Sequence, residues 1–133
     1  MRREAQFQTL FRHWLMANKG KFTNAAFELK QTTGDSLPYS ALAEHQEAYL
    51  EAVQHPTQGV LYKIPDDSRG IKPFDFVYLK MAQSWIVIRF PKFFCVIEYD
   101  NFLGFKLLSK RKSITSEEAR RISTHCVKIG STR

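Results

Sequence analysis

Glu28 and Lys30 are the two residues in this chain whose types and spacing best suit chemistry. They lie in the segment Phe22 to Gln31, which predicts a β-strand with Ala26, Glu28 and Lys30 on one face. A carboxylate is a good ligand for a hard divalent cation such as Mg²⁺. A neighbouring lysine can position or deprotonate water and offset charge on a phosphorane, so the pair predicts phosphodiester hydrolysis. Glu-x-Lys alone is also typical of an exposed ion pair on an edge strand.

Gln46 is a third residue of interest, because it falls on the apolar stripe of a predicted helix from about Tyr39 to His55. The other members of that inward stripe are Leu42, Tyr49, Leu50 and Val53. A polar side chain there needs a hydrogen-bond partner inside the protein. Two roles fit it: orienting the lysine or a water beside Glu28, or satisfying a buried backbone group.

Hydrophobic spacing predicts the elements that surround these residues. Helices are expected from about Arg3 to Ala17 and from Thr115 to Thr124, the second opened by a capping box, with a short helical turn near Asp100 to Phe105. The remaining strands are expected at Gly59 to Ile64, Phe74 to Leu79, Trp85 to Phe90 and Phe93 to Glu98. The order predicts one α/β domain over residues 1–133, with a mixed β-sheet flanked by helices. A basic linker and helix occupy about residues 109–125.

The chain is basic, with 20 Lys and Arg against 13 Asp and Glu and a formal net charge of +7. An excess of this size on 133 residues indicates an anionic partner, of which a phosphate backbone is the commonest. The alternative is that the basic side chains are solvated and have no ligand. The candidate phosphate contacts are Arg69, Lys72, Lys110, Arg111 and Lys112.

Cysteine usage and hydropathy indicate the compartment. Cys95 and Cys126 lie far apart and outside any CxxC pair, so we expect reduced thiols, no disulfide framework and no zinc site. No apolar run approaches the roughly 18 residues of a membrane span. The start, Met1 to Glu4, leads directly into an amphipathic pattern, so no signal peptide is expected. We therefore expect a cytoplasmic protein, in the host cytoplasm if the chain is viral, with no membrane partner.

With these pieces in order, the chain resembles the PD-(D/E)XK nuclease superfamily, and within it the RecU-type Holliday junction resolvases. The resemblance covers about two thirds of the chain. It rests on the order of five segments: Glu4 in the first helix, Lys19 to Phe22 leading into Ala26 to Lys30, Leu37-Pro38, Glu44-His45-Gln46, and the hairpin Ile86 to Tyr99. It implies a restriction-endonuclease-like sheet, with Glu4 as an auxiliary metal-binding acid.

One position departs from that family pattern. The family has an aspartate shortly before its E-x-K, whereas residues 22–26 contain no acid. Asp75, at the start of a predicted strand and next to apolar core, is our replacement ligand, because an ion responds to geometry and not to chain order. A charge beside apolar core is costly unless a cation or hydrogen bonds compensate it. Asp66 and Asp67 are rivals, although their segment is also typical of a surface turn.

The resemblance implies a Mg²⁺-dependent endonuclease, with Mn²⁺ as a substitute, that acts on branched or four-way junction DNA. Glu28, Asp75 and Glu4 would bind the metal, while Lys30 and Gln46 would serve the reaction. A homodimer is expected, because a two-fold protein matches a two-fold junction. Two alternatives stay open: another DNA-processing nuclease of the superfamily, or a non-catalytic nucleic-acid-binding module with a degenerate site.

Overall fold

The structure, a computed structural model, describes residues 3–129, which form four α-helices and eight β-strands. Its helices are α1 (Arg3–Ala17), α2 (Glu44–Gln54), α3 (Tyr99–Leu108) and α4 (Ser116–Ile122), with two single 3-10 turns at Lys19–Lys21 and Tyr39–Ala41. Its strands are β1 (Ala25–Gln31), β2 (Ser36–Pro38), β3 (Val60–Lys63), β4 (Phe76–Leu79), β5 (Gln83–Arg89), β6 (Phe93–Glu98), β7 (Ser113–Thr115) and β8 (His125–Lys128). The predicted α/β class is confirmed.

The main sheet is mixed and has the strand order β1-β5-β6-β8. Strand β1 runs parallel to β5, with Glu28 opposite Ile86 and Lys30 opposite Ile88. Strands β5 and β6 form the predicted antiparallel hairpin across Pro91-Lys92, and β8 is antiparallel to β6. Two further two-stranded sheets pair β2 with β7 and β3 with β4. The segment that carries Glu28 is therefore an edge strand with one hydrogen-bonded neighbour.

Apolar side chains cover both faces of the main sheet, which makes it the middle layer of the domain. Phe7 and Phe11 of α1 pack with Trp85, Val87 and Phe94 on one face. The other face packs against α2, α3 and α4 through a second set of buried side chains that includes Leu50, Ile86, Ile88, Phe102 and Ala119. Strand β5 is buried on both faces, as its apolar run predicts. Complete burial of one such aliphatic side chain contributes roughly 1.5–3 kcal/mol.

The second helix is shorter than predicted, since α2 begins at Glu44 and not near Tyr39. Tyr39–Ala41 form a 3-10 turn. Leu42, which lies between this turn and α2, is buried. The prediction that Tyr49 lies on the inward stripe is wrong, because its side chain is exposed. Leu50 and Val53 carry the buried face of α2 as expected.

Other boundaries differ from the predictions for local reasons. Strand β1 starts at Ala25 and not at Phe22, because Asn24 adopts a left-handed conformation with φ of 47° that interrupts an extended chain. The turn expected after Asp100 is the complete helix α3. The capping box is confirmed at α4, where Thr115 accepts a hydrogen bond from the backbone N–H of Glu118 at 3.1 Å. The free Cys95 is buried, and burial raises the pKa of its thiol to about 12.

His125 of β8 packs against Trp14 and Phe22, with ring centroids 5.5 and 5.6 Å apart. Burial, followed by the charge of Lys21, lowers the pKa of His125 from its ordinary value of 6.5. The folded state therefore disfavours the protonated ring. The contribution of the neutral His125 ring to the free energy of unfolding is fully present above pH 6.5 and declines as the pH falls below it.

Between pH 7 and pH 5, we expect the free energy of unfolding to fall less in His125→Phe than in the unmodified chain. Urea unfolding at several pH values measures this, with the exposed His13→Phe as control. An identical decline in the His125→Phe variant would contradict the expectation.

Candidate active site at the edge strand

Strand β1 presents Glu28 and Lys30 on the same face, as its two-residue period requires. Ala26, on that face, packs with the core beside α2, whereas Phe27 and Leu29 pack with the core beside α1. The Nζ of Lys30 lies 3.5 Å from Oε2 of Glu28. The two side chains are 22% and 28% exposed, respectively, so the pair is partly shielded and still reachable from solvent. A partly shielded pair of this kind suits a reacting group, whereas a fully solvated ion pair on the surface contributes little energy.

Gln46 connects this pair to α2. Its Nε2 donates to Oε2 of Glu28 at 2.9 Å, and its Oε1 accepts from the backbone N–H of Ala43 at 3.0 Å. The N–H of Ala43 belongs to the residue that precedes α2, so Gln46 ties the start of the helix to the edge strand. The second of the roles considered for Gln46, satisfying a backbone group, is present, whereas its amide N–H contacts the carboxylate of Glu28 and not Lys30.

These contacts leave the two oxygens of Glu28 in different states. Lys30 and Gln46 both approach Oε2, whereas no residue among 3–129 donates a hydrogen bond to Oε1. Because Oε2 accepts a hydrogen bond from Gln46 and pairs with the ammonium of Lys30, the carboxylate is restrained in orientation, and its other oxygen can accept a ligand. The site therefore combines a positioned acceptor oxygen with an adjacent ammonium group.

The donor chemistry fits Mg²⁺, which proteins usually hold through one or two carboxylates together with water and substrate phosphate oxygens. Oε1 of Glu28 is a suitable oxygen for such an ion. Within the part of the chain that the structure describes, no three His, Cys, Asp or Glu side chains are grouped closely enough to hold a metal. Glu28 would hold the ion together with water and with oxygens of the substrate.

Glu4 lies in the first turn of α1 and is exposed. It lines a cavity of about 270 Å³ together with Lys30 and Gln31 of β1. Gln31 has a buried Oε1 without a hydrogen-bond partner among the described residues, and the same is true of Nε of Arg89, the residue that faces Gln31 across β1 and β5. The sequence analysis did not identify Gln31 or Arg89 as candidate site residues. The one feature of the sequence that could have indicated Arg89 is its position at the end of the apolar run Trp85 to Ile88.

Among the described residues, the carboxylate of Asp75 makes no hydrogen bond or ion pair with Glu28, Lys30 or Gln46. Asp75 precedes β4, its side chain is 73% exposed, and its carboxylate pairs with Nζ of Lys72 at 3.0 Å. The expectation that Asp75 is a charge placed against apolar core is therefore wrong, because solvent and Lys72 already compensate it. Its assignment as a metal ligand stays a prediction.

The rival aspartates belong to the connection between β3 and β4. Asp66 is paired with Lys63 at 3.6 Å and also with Lys72. Asp67 accepts from the backbone N–H groups of Arg69 and Ile71 at 2.9 and 3.0 Å. The bond from Ile71 has the largest part in lowering the pKa of Asp67. Asp67 thus serves the surface turn that its sequence is typical of.

The residues predicted to contact phosphate differ in whether they already pair with a carboxylate. Arg69, Lys110 and Lys112 are exposed, the last two in the loop before β7. The ammonium of Lys72 already contacts two carboxylates, and Arg111 pairs with Glu118 of α4. A cation that already has a carboxylate partner attracts a phosphate less strongly than a cation without one. Exposed Lys110 and Lys112 are accordingly the stronger candidates for nucleic-acid contact.

A second cavity, of about 340 Å³, lies between β1, α2 and the β3–β4 hairpin. Glu28 and Gln46 form part of its wall, and the rest is mostly apolar and aromatic: Ala26, Phe27, Tyr49, Leu50, Val53, Val60, Tyr62, Val77 and Leu79. Sequence reasoning missed Tyr49 and Tyr62 as members of this site. Their position depends on how the hairpin folds over α2, which no local pattern encodes.

The role of Gln46 as a positioning residue can be tested against Gln54 of the same helix, which donates to the exposed carboxylate of Asp100 at 3.0 Å. Gln46→Leu removes a donor from Glu28, so we expect the metal-dependent DNA cleavage that the resemblance implies to fall about tenfold or more, with loss of about 1 kcal/mol of stability. The Mg²⁺ concentration that gives half-maximal rate should also rise, which a purely structural change would not cause. Gln54→Leu should leave that concentration unchanged. Equal effects of the two substitutions on the metal dependence would contradict this role.

Comparison with known proteins does not assign the chain to a family. No family model matches it, and no curated protein matches it. Over residues 3–129, none of the helices has the length and apolar character needed to cross a membrane. The function is therefore inferred from the Glu28 site itself.

Proposed function

We propose that this chain is a metal-dependent DNA endonuclease, and that its substrate is branched DNA such as a four-way junction. The observation that carries the proposal is the geometry around Glu28. One carboxylate oxygen is held by Lys30 and Gln46 at 3.5 and 2.9 Å, and the other has no donor among the described residues. Placed on a partly exposed edge strand of a chain with net charge +7, this group suits the hydrolysis of a phosphodiester.

Each residue of the site has a separate task in this proposal. Glu28 supplies an oxygen ligand whose direction is set by Gln46. Lys30 lies beside it, where its ammonium can hold the attacking water and offset the negative charge that develops on the phosphorus oxygens. A bound Mg²⁺ would supply Lewis-acid stabilisation of that charge and make water a better nucleophile. Gln46 acts through Glu28 and does not touch the substrate.

We propose that the chain belongs to the PD-(D/E)XK superfamily, with the RecU-type resolvases, which is the resemblance that the sequence suggests. In support, E-x-K lies on the strand that follows α1, Gln46 lies on the next α-helix, and β5 and β6 form a hairpin. The same proposal includes a homodimer, because cutting two opposed strands of a junction calls for two copies of the site. Sedimentation at micromolar concentration tests this, and a monomer that cuts junctions symmetrically would contradict it.

A non-catalytic nucleic-acid-binding module is the second candidate. It is favoured by residues 22–26, which hold no acid where the resembling family has one, and by Asp75 and Asp66, whose carboxylates are both paired with Lys72. The two candidates differ in one property: a binding module retains affinity for DNA but does not break phosphodiester bonds in the presence of any divalent cation.

Nicking of supercoiled plasmid and of a fixed four-way junction separates the two candidates. With Mg²⁺ or Mn²⁺ we expect open-circular plasmid and paired nicks near the branch point, and EDTA should stop both reactions. Glu28→Gln, purified identically, controls for contaminating nuclease. Junction binding without nicking in either metal would establish the binding module instead.

Asp75 is proposed as the second carboxylate, recruited from Lys72 when metal and substrate are present. We expect Asp75→Asn to lower the rate of cleavage by at least about tenfold and to raise the Mg²⁺ requirement, because one carboxylate alone binds a divalent cation weakly. Asp66→Asn is the matched control, since it removes the other carboxylate paired with Lys72. If Asp66→Asn has the larger effect, the second ligand is Asp66. Unchanged activity in Asp75→Asn removes Asp75 from the site, and Glu4→Gln then tests the acid of α1.

A further inference from the structure

We infer that the cavity between β1, α2 and the β3–β4 hairpin receives one unpaired nucleobase beside the phosphodiester that Glu28 serves. This inference rests on the proposed function, since it takes DNA as the ligand. The cavity measures about 340 Å³, which is at the small end of the range for ligand pockets and suits a single heterocycle. Its wall includes Glu28, so an occupant would lie directly next to the reacting groups.

The lining excludes a phosphate and favours an uncharged, flat, largely apolar group. None of the eleven residues that line the cavity is a lysine, arginine or histidine, and the one charged side chain is the carboxylate of Glu28. A phosphate would be repelled there, whereas it would be attracted to Lys30, which pairs with Glu28 and does not line the cavity. The charge arrangement thus places phosphate at Lys30 and an uncharged part of the same nucleotide in the cavity.

Two tyrosines make the cavity suited to a base in particular. Tyr49 and Tyr62 line it, yet they are 57% and 54% exposed, so large parts of both side chains are open to solvent. Exposed aromatic rings are the usual platforms for stacking unpaired bases, which they bind with little regard to sequence. The remaining apolar contacts, such as Val77 and Leu79 of β4, would exclude water from the base.

An unpaired base is the natural occupant, because removing a base from a duplex costs free energy that an already unstacked base does not require. A branch point interrupts the continuous stacking of a duplex, so a base next to it can leave its pair at a lower cost than a base inside a duplex. The inference therefore gives a physical reason for choosing branched DNA: the duplex must leave one base free before its phosphodiester can reach Glu28.

The test is a binding cycle between cavity variants and abasic junctions, performed in EDTA so that nothing is cut. A single abasic residue replaces, in turn, each nucleotide around the branch point of a fixed four-way junction. Tyr62→Ala removes one ring from the cavity. Tyr78→Ala is its matched control, since Tyr78 lies on β4 of the same hairpin, is 56% exposed and does not line the cavity.

We expect Tyr62→Ala to weaken binding to the intact junction about tenfold, in line with the loss of stacking for one base. At one abasic position that difference should disappear, because the base that Tyr62 contacts is already missing. Tyr78→Ala should show the same ratio of affinities at all positions. Val77→Trp, which fills the cavity, should repeat the pattern of Tyr62→Ala, with Leu61→Trp on the exposed strand β3 as its control. Thermal melting confirms that each variant is folded.

Two results would overturn the inference. The first is a loss of affinity in Tyr62→Ala and Val77→Trp that is the same at every abasic position. The second is unchanged DNA binding together with dissociation of a dimer, which would assign the cavity to a second copy of the chain. Because binding is measured without metal, the cycle stays informative even if the chain proves not to cut DNA, and cleavage assays test the proposed function separately.

Discussion

Glu28→Gln is expected to lower the rate of metal-dependent DNA cleavage by about a hundredfold to a thousandfold, the size of effect seen when a single reaction-stabilising group is removed. The substitution replaces the charged oxygen ligand by a neutral amide of almost the same shape. It also places an amide opposite Nε2 of Gln46, where a charge-assisted bond of 2.9 Å existed. Affinity for junction DNA should stay within a few-fold of the unmodified chain, because Glu28 carries a negative charge that does not attract phosphate.

Lys30→Ala is the second substitution to test, and it should lower the rate of DNA cleavage to a similar extent as Glu28→Gln. The measurement is single-turnover cleavage of a four-way junction in Mg²⁺, with circular dichroism and thermal melting to confirm the fold. Glu44→Gln, at the exposed start of α2, and Lys63→Ala, on the exposed hairpin, are the charge-matched controls. Full activity in either Glu28→Gln or Lys30→Ala would show that the site is elsewhere in the chain.

DNA binding should weaken about a hundredfold when the salt concentration rises from 50 to 200 mM, as expected for about four phosphate contacts. The physical cause is the release of counterions from the phosphate backbone, which is less favourable when salt is already abundant. The net charge of +7 and the exposed Lys110 and Lys112 motivate this expectation. Fluorescence anisotropy with a labelled junction at several salt concentrations gives the slope directly.

The double variant Lys110→Gln/Lys112→Gln identifies where the contacts are made. It should reduce the salt slope by about two contacts and weaken binding to all DNA sequences equally. Lys92→Gln/Lys128→Gln removes the same charge near β8, at the opposite edge of the sheet from β1, and should change the slope less. An affinity that does not depend on salt would mean that the basic residues have another purpose.

The geometry of the Glu28 pair was predictable because it depends on the two-residue period of a strand. The same holds for the buried strand β5 and for the capping box of α4, which are local patterns. For Gln46 the sequence predicts only that a hydrogen-bond partner exists, because a polar group on an apolar stripe needs one. That the partner is Glu28, eighteen residues earlier, depends on how α2 packs on β1.

What could not be predicted depends on pairing between distant segments. Strands β2 and β7 have three residues each and pair Ser36–Pro38 with Ser113–Thr115, so neither has enough alternation to be recognised alone. The exposure of Asp75 follows from a hairpin that forms its own two-stranded sheet and does not join the main one. Tyr49 is exposed for a related reason: it is directed to the cavity beneath that hairpin and not to the core of the domain.

The central claim is that Glu28 binds the divalent cation of a nuclease, and a crystal grown with Mn²⁺ and junction DNA tests it most directly. Anomalous scattering locates Mn²⁺ independently of the protein phases. The account predicts a peak about 2.1–2.2 Å from a carboxylate oxygen of Glu28, with a DNA phosphate oxygen as a further ligand and Lys30 beside the phosphate. Mn²⁺ bound at another place, with Glu28 still paired only with Lys30 and Gln46 while DNA is present, would contradict it.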